Sequence, residues 1–226
     1  MTLTLYFHPL SSFCQKVLVA LYENDTPFER HIVNLGDPDS AASFKKLWPM
    51  GRFPVLQDDS TGETIPESSI IIEYLDLNYP GEGRLIPETS EGALRTRQAD
   101  RFYDLSVQVP MQKIVGDRLR AAGMKDPHGV EQAKTQLQTA LNIVDREMAA
   151  RIWAIGDDFS MADCAAAPAL YYADLVMPFA ETHKHASAYF GRLTQRPSFA
   201  RAVKEAEPYR AMFPLGESQL SERSKP

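Results

Sequence analysis

The chain has 226 residues, 44% of them hydrophobic, with 24 Lys and Arg against 30 Asp and Glu and a formal net charge of −6, a globular composition with room for one large domain or two small ones. The acidic balance argues against a nucleic-acid backbone as partner, and no apolar run approaches the roughly 18 residues of a membrane span. The chain opens on a strand-like alternation rather than a basic segment and an apolar block, and it carries only two distant cysteines, Cys14 and Cys164; both features predict a reducing, cytoplasmic setting without an export signal.

Thr2 to Phe7 alternates as a half-buried strand does. The stretch then breaks at His8-Pro9 into Leu10, Ser11 and Ser12, and from Ser12 to Glu23 Phe13, Val17, Leu18 and Leu21 recur at helical spacing. Phe28 to Leu35 reads as a second strand, followed by the turn-rich "GDPDS" and an irregular segment. Val55 to Gln57 and Glu63 to Ile65 flank "DDSTG", a hairpin signal. Ser69 to Tyr79 has helical periodicity and stops at Pro80-Gly81.

The texture changes at "NYPGEGRLIP", a linker by its Pro and Gly content. Beyond it everything reads as helix. Val130, Ala133, Leu137, Leu141, Val144 and Met148 form one apolar stripe, and Pro110 falls inside a long helical pattern over about residues 90 to 122, which it must bend or divide. The final "SQLSERSKP" reads as a frayed polar tail. Charge follows the same division: residues 1–80 hold 5 basic and 11 acidic side chains, residues 81–226 hold 19 of each. The expected fold is a small α/β unit followed by an all-helical unit.

Three short stretches carry chemistry. Ser11 and Ser12 stand at a helix start, where the first N–H groups lack intrahelical partners. A hydroxyl there either caps the helix or donates to an anion or thiolate favoured by the positive end of the helix dipole. The spacing Ser11-x-x-Cys14 is a Cys-x-x-Cys redox motif with serine in the leading place, which forms no disulfide but can hydrogen-bond a thiolate supplied by another molecule. In "GRFPVL", Pro54 opens a strand where a missing N–H is tolerated, and a cis bond would turn the Phe53 backbone toward a ligand. In "IPESSIIIEYL", Glu67 and Ser68 either begin a helix and no more, or hold the ammonium and carboxylate of an α-amino acid.

Taken together, in this strand and helix order, these pieces resemble the glutathione S-transferase family from about Thr2 to Phe213, with a thioredoxin-like domain over 1–82 and an all-helical domain over 88–215. "SMADCAAAPAL" adds a capping box, Ser160 with Asp163, to which the resemblance gives a structural role. The resemblance implies that Ser11, as in theta- and zeta-like members, activates the glutathione thiol, with Ser12 as fallback. It implies that the Phe53 backbone pairs with the cysteinyl part, that Pro54 is the family's cis-proline, that Glu67 and Ser68 hold the γ-glutamyl end, and that Arg52 meets the glycine carboxylate.

The implied activity is glutathione transfer to a small hydrophobic electrophile, with detoxification as its setting. Glutathione is the co-substrate, no metal is called for, and a homodimer is expected. The electrophile would sit between the domains against Tyr103, Gln108, Tyr209, Met212 and Phe213. A glutathione-dependent isomerase or dehalogenase, and a non-catalytic scaffold of the same fold, are the alternatives. Tyr6 falls one residue out of register for a catalytic phenol and reads as packing, and Cys14 as a buried helix residue. His183-x-His185 lacks further ligands and reads as surface, Arg95, Arg97 and Arg101 with Asp100 and Asp104 as a solvated or intersubunit face, and Trp48 and Trp153 as packing.

Overall fold

The structure, a computed structural model, describes residues 2–214. The polar tail and the expected domain end at 215 lie outside the described residues. A four-stranded sheet comes first, ordered β2-β1-β3-β4. Strand β1 (Leu3–Phe7) pairs parallel with β2 (Glu29–Ile32) and antiparallel with β3 (Val55–Asp58), and β3 pairs antiparallel with β4 (Glu63–Pro66). Every residue of β2 is exposed, as expected of an edge strand, and β2 is shorter than the eight-residue run that the sequence suggests.

Helix α1 (Ser12–Glu23) follows β1 and is the central element of the fold. Val17, Leu18 and Leu21 are fully buried, each contributing roughly 1.5–3 kcal/mol relative to exposure. Between β2 and β3 the chain forms α2 (Pro38–Leu47), where the sequence suggested a turn and irregular structure. Asp37 caps it, its side chain accepting from the Ser40 N–H at 2.8 Å, and Pro38 fills the first turn. Only Phe44 of this helix is buried, so its apolar periodicity is nearly absent and the Asp-Pro start is its one strong signal.

Helix α3 (Ser68–Asn78) completes the α/β unit. Asp58, at the end of β3, clasps it to the hairpin, accepting from Tyr74 and Tyr79 hydroxyls at 2.7 and 2.5 Å and from the Ser60 N–H and hydroxyl at 2.8 and 2.6 Å. The Pro/Gly-rich stretch that follows is anchored. Leu85 and Ile86 are buried, Leu85 N–H donates to Asp76 at 2.9 Å, and the Leu85 carbonyl accepts from Met161 N–H at 2.8 Å.

The remaining described elements are helical: α4 (Ser90–Phe102), a π-helical segment (Tyr103–Gln108), α5 (Val109–Arg118), α6 (Pro127–Met148), α7 (Met161–Val176), α8 (Lys184–Gln195) and α9 (Pro197–Ala206), with short 3₁₀ turns at Ala122–Met124 and Glu207–Met212. Pro110 has no N–H for the preceding turn, and the helix widens just before it, Val109 N–H reaching back five residues to the Asp104 carbonyl. The widened turn directs Asp104 and Gln108 at α1. Helix α7 lies at the centre of the helical unit, buried from Met161 to Leu170. Its run of alanines lets α1 and the π segment approach closely. The Ser160–Asp163 capping box starts it, with Ser160 N–H donating to Asp163 at 2.9 Å, while the other Asp163 oxygen accepts from the Tyr189 hydroxyl at 2.6 Å.

Polar contacts fasten the two units together. At the end of α1, Glu23 takes a two-pronged contact from Arg196 at 2.7 and 2.6 Å, and Arg196 lies over Phe159, 3.9 Å from the ring centre. Midway along α1, Lys16 is 1% exposed and reaches Asp100 of α4 at 2.6 Å, Asp104 at 2.8 Å and the Ser69 hydroxyl at 2.8 Å. Asp100 and Asp104 therefore belong to a buried ion cluster, not to the solvated face expected for them. His183 is likewise buried, bonded to Asn142 at 2.9 Å and Thr182 at 2.8 Å. The surface position expected for it fails because Asn142 and Gln138, which bond its Nε2, come from α6, far away in sequence.

Candidate active site

The loop between β1 and α1 is pinned at each step. The His8 carbonyl accepts from Ser11 N–H at 2.9 Å, the Pro9 carbonyl accepts from the Gln15 side chain at 2.9 Å, and His8 Nδ1 accepts from Leu10 N–H at 3.3 Å. Ser11 has extended backbone angles (φ −77°, ψ 121°) and acts as the N-cap of α1, its Oγ accepting from Cys14 N–H at 3.4 Å. The Ser11 hydroxyl also lies within hydrogen-bond reach of the Cys14 thiol, and a hydroxyl proton can turn from such a weak acceptor to a stronger one outside the loop. The side chain is half-buried at the loop surface.

Ser12 differs. It is 5% exposed, and its hydroxyl accepts from the Gln108 amide of the π segment. Cys14 is sealed beneath, fully buried, and burial pushes its thiol up to about 12 despite hydrogen bonds from Ser11 and the backbone. It is therefore neither ionised nor reachable at neutral pH. Tyr6 donates to Gln57 at 3.1 Å and packs on His31 with ring centres 4.6 Å apart; its phenol belongs to the sheet.

Beside this loop lie the other two stretches. The Phe53–Pro54 peptide bond is cis, and the Phe53 ring stacks 6.1 Å from His8. Glu67 is exposed with φ +71°, a left-handed conformation uncommon for a residue with a Cβ. It precedes Ser68, which is 6% exposed at the first position of α3. Side chains cap α1, α2, α4 and α6, but none caps α3. The N–H groups at its start are thus open to an outside anion such as a carboxylate. Arg52 is exposed without an ion-pair partner among the described residues.

The expected electrophile wall is only partly assembled. Tyr209 comes to the loop, edge-on to His8 with ring centres 5.3 Å apart, and the Phe213 ring centre lies 5.3 Å from that of Tyr172. Leu10, Gln15, Tyr171, Tyr172 and Phe213 enclose a small cavity of about 30 Å³ behind the loop. Met212 is 61% exposed. Gln108 is held inside by Ser12. Tyr103 is not part of this wall. It is 3% exposed in the helical core, against Phe102 and within hydrogen-bond reach of Tyr189, at the end of regular α4 where its N–H bonds back to the Ala99 carbonyl. Sequence reasoning missed His8 and Lys16; a histidine ending a strand and a lysine amid an apolar helix face were the available signals. Among the described residues, no three His, Cys, Asp or Glu side chains are grouped to hold a metal, and no helix is long and apolar enough to cross a membrane.

Comparison with known proteins gives a consistent result. Residues 5–83 match the family model described as "Glutathione S-transferase, N-terminal domain" and residues 127–192 the corresponding C-terminal domain. The chain is 30% identical to a probable maleylacetoacetate isomerase of Vibrio cholerae, over 92% of this chain and 98% of the relative. It is 25% identical to glutathione S-transferase GstB of Escherichia coli K12, over 89% and 97%. Among solved structures, a glutathione S-transferase from Methylobacillus flagellatus with GSH bound superposes with a TM-score of 0.81 at 25% identity, covering 89% of this chain and 98% of that one.

Proposed function

The chain belongs to the glutathione S-transferase family, and on that premise we propose that it binds glutathione beside α1 and α3 and activates the thiol through Ser11 for attack on a small hydrophobic electrophile. The observation that carries this reading is the contrast between three neighbouring groups. Ser11 is half-buried with its hydroxyl at the helix N-terminus, Ser12 is buried against Gln108, and the Cys14 thiol is sealed. Of the three, only Ser11 suits a sulfur brought in from solution.

The uncapped start of α3, with buried Ser68, suits the γ-glutamyl carboxylate, and exposed Glu67 suits the adjacent ammonium. The Phe53 ring meets His8 of the same loop, and the cis bond that follows Phe53 suits its backbone to pairing with the cysteinyl amide between those two ends. Arg52 offers a charge for the glycine carboxylate. With the tripeptide so held, a hydrogen bond from Ser11 and the α1 dipole favour thiolate over thiol, lowering its pKa from about 8.5. Two reactants in one cleft gain further from proximity.

A hydrogen bond to a charged group is worth about 1.5–3 kcal/mol. Ser11→Ala should therefore lower turnover roughly 10- to 100-fold while glutathione affinity, measured by calorimetry, stays within a few-fold. Unchanged turnover would reject the role of Ser11. Failure to bind at millimolar glutathione would favour the scaffold alternative. The Vibrio relative supports a second reading, a glutathione-dependent isomerase that returns glutathione unchanged; product analysis with substoichiometric glutathione separates it from conjugation. A co-substrate that must stay reduced suits the cytoplasm. We also infer a homodimer. Ile70 and Leu77 on α3 and Leu94 on α4 are 52%, 72% and 66% exposed, and the Glu73–Arg97 pair at 2.8 Å joins the two helices between them. That stripe suits a second copy.

A further inference from the structure

The His8 side chain takes no part in the reading above, yet it lies closer to Ser11 in the chain than any other ionisable side chain of that loop. Its carbonyl holds the Ser11 N–H at 2.9 Å. Its ring lies between Phe53, stacked at 6.1 Å with planes 22° apart, and Tyr209, edge-on at 5.3 Å. These two rings come from distant parts of the chain, one from the segment before Pro54 and the other from the C-terminal 3₁₀ turn.

The tautomer follows from one contact. Leu10 N–H donates to His8 Nδ1 at 3.3 Å, so Nδ1 is an acceptor and a neutral ring carries its hydrogen on Nε2. Half-burial lowers the His8 pKa below its usual value, which favours the neutral ring. Nε2–H lies on the far side of the ring from Leu10 and has no hydrogen-bond partner among the described residues. A fixed, half-buried donor without a partner, set between two aromatic rings beside a proposed thiolate site, is a feature that packing alone does not require.

We propose that His8 is a catalytic residue whose Nε2–H donates a hydrogen bond to an electrophile oxygen that becomes negatively charged as sulfur adds, so that α,β-unsaturated carbonyl compounds are a preferred substrate class. The inference rests on the proposed thiolate chemistry at Ser11. In the step, sulfur forms a bond to the β-carbon, the carbon–carbon π pair moves toward the carbonyl, and the oxygen takes the charge as an enolate. His8 keeps its proton throughout. Solvent water then protonates the α-carbon, and the hydroxide left behind takes up the proton that the thiol released to solvent. An alkyl halide builds no such oxyanion and gains nothing from the donor.

The experiment compares trans-4-phenyl-3-buten-2-one with iodomethane in the full-length protein. His8→Asn keeps an acceptor for Leu10 N–H at the Nδ1 place and removes the Nε2 donor, whereas His8→Gln sets an amide N–H near the Nε2 place. Removing one oxyanion donor in a preorganised site costs about 10²–10³-fold. For a half-exposed group we expect about 10- to 50-fold loss of kcat/KM on the enone for His8→Asn, with iodomethane within about 2-fold and at least partial recovery in His8→Gln. Equal losses on both substrates, or no loss on either, would overturn the proposal. Calorimetric glutathione affinity and the Ser11→Ala rates are read alongside. If Ser11→Ala leaves iodomethane turnover intact, the thiolate reading fails; if Ser11→Ala is impaired but His8→Asn shows no enone-selective loss, only the His8 proposal fails.

Discussion

Lys16→Met tests the buried cluster that joins the two units. Lys16 and Asp100 side chains are each 1% exposed and Asp104 is 9% exposed; the ammonium meets the two carboxylates at 2.6 and 2.8 Å and the Ser69 hydroxyl at 2.8 Å. Ser69 in turn donates to Asp100 at 2.6 Å. Methionine fills similar volume but leaves two carboxylates facing each other out of water. Breaking a buried pair from one side costs about 3–5 kcal/mol. At about 2–4 °C per kcal/mol for a chain of this size, Tm should fall by roughly 6–20 °C.

The sign with pH is also determined. Burial raises the Asp104 carboxyl above its ordinary value of 3.8, Lys16 opposes that, and Asp100 adds to it. Removing Lys16 raises it further. A carboxyl whose folded pKa is raised stabilises the fold while protonated and loses that contribution as pH rises through the folded value. Urea unfolding should therefore show a smaller loss for Lys16→Met at pH 5 than at pH 8. Adding Asp100→Asn and Asp104→Asn should recover at least half of the pH 8 deficit, since neutral groups carry far less desolvation cost. A loss below about 1 kcal/mol, or one identical at both pH values, would refute the account of this cluster.

Other outcomes follow from single contacts. Burial alone would raise the Asp58 carboxyl, but hydrogen bonds from Ser60, Tyr79 and Tyr74 outweigh it and hold it well below the usual carboxylate range. Stability from Asp58 is therefore present above its unfolded pKa and lost as pH falls toward the folded value; Asp58→Asn should unfold in less urea at pH 7 and show a shallower acid limb. Cys14, raised from 9.0 to about 12, should resist iodoacetamide at pH 8 in the native protein and react only in denaturant, and its contribution to stability should fade as pH rises above 9.0. Arg196→Lys keeps the charge but loses the two-pronged contact with Glu23, and should lower Tm by several degrees without changing turnover at 25 °C. Leu77→Asp on the exposed stripe of α3 should give a monomer in analytical ultracentrifugation; an unchanged dimer would remove that face from the interface.

What could be read beforehand was whatever local patterning controls. Helix α1 begins at Ser12 and ends at Glu23, as its apolar spacing predicts, although it is buried all round from Cys14 to Leu21 rather than on one face. The hairpin around Gly62, with φ +73°, was equally visible. Helix α2 was not, since it buries one side chain and owes its start to Asp37 and Pro38 rather than to a hydrophobic stripe. Pro110 announced a disturbance, but its form, a π turn, depends on Asp104 and Gln108 finding partners on α1. Tyr103 sits in the core rather than at a ligand wall because its partner Tyr189 comes from α8, 86 residues later, which no local pattern around Tyr103 announces.

The division of labour between Ser11 and Ser12 shows where local reasoning reaches its end. Both are serines at a helix start, and capping logic alone treats either as a thiol partner. What separates them is Gln108, 96 residues later in the chain, which donates to the Ser12 hydroxyl in a buried contact, while Ser11 stays half-buried at the loop. The same long-range selection acts on His8, whose ring is ordinary until Phe53 and Tyr209 pack against it. Local sequence therefore supplies the chemical groups of this loop, while the helical unit determines which of them face a ligand. Gln108→Ala is the direct probe of that selection. It should free Ser12 without touching Ser11, so the turnover left in Ser11→Ala should rise when Gln108→Ala is added, whereas Gln108→Ala alone should change it little. Strict additivity of the two changes would mean that Gln108 plays no part in choosing between the serines.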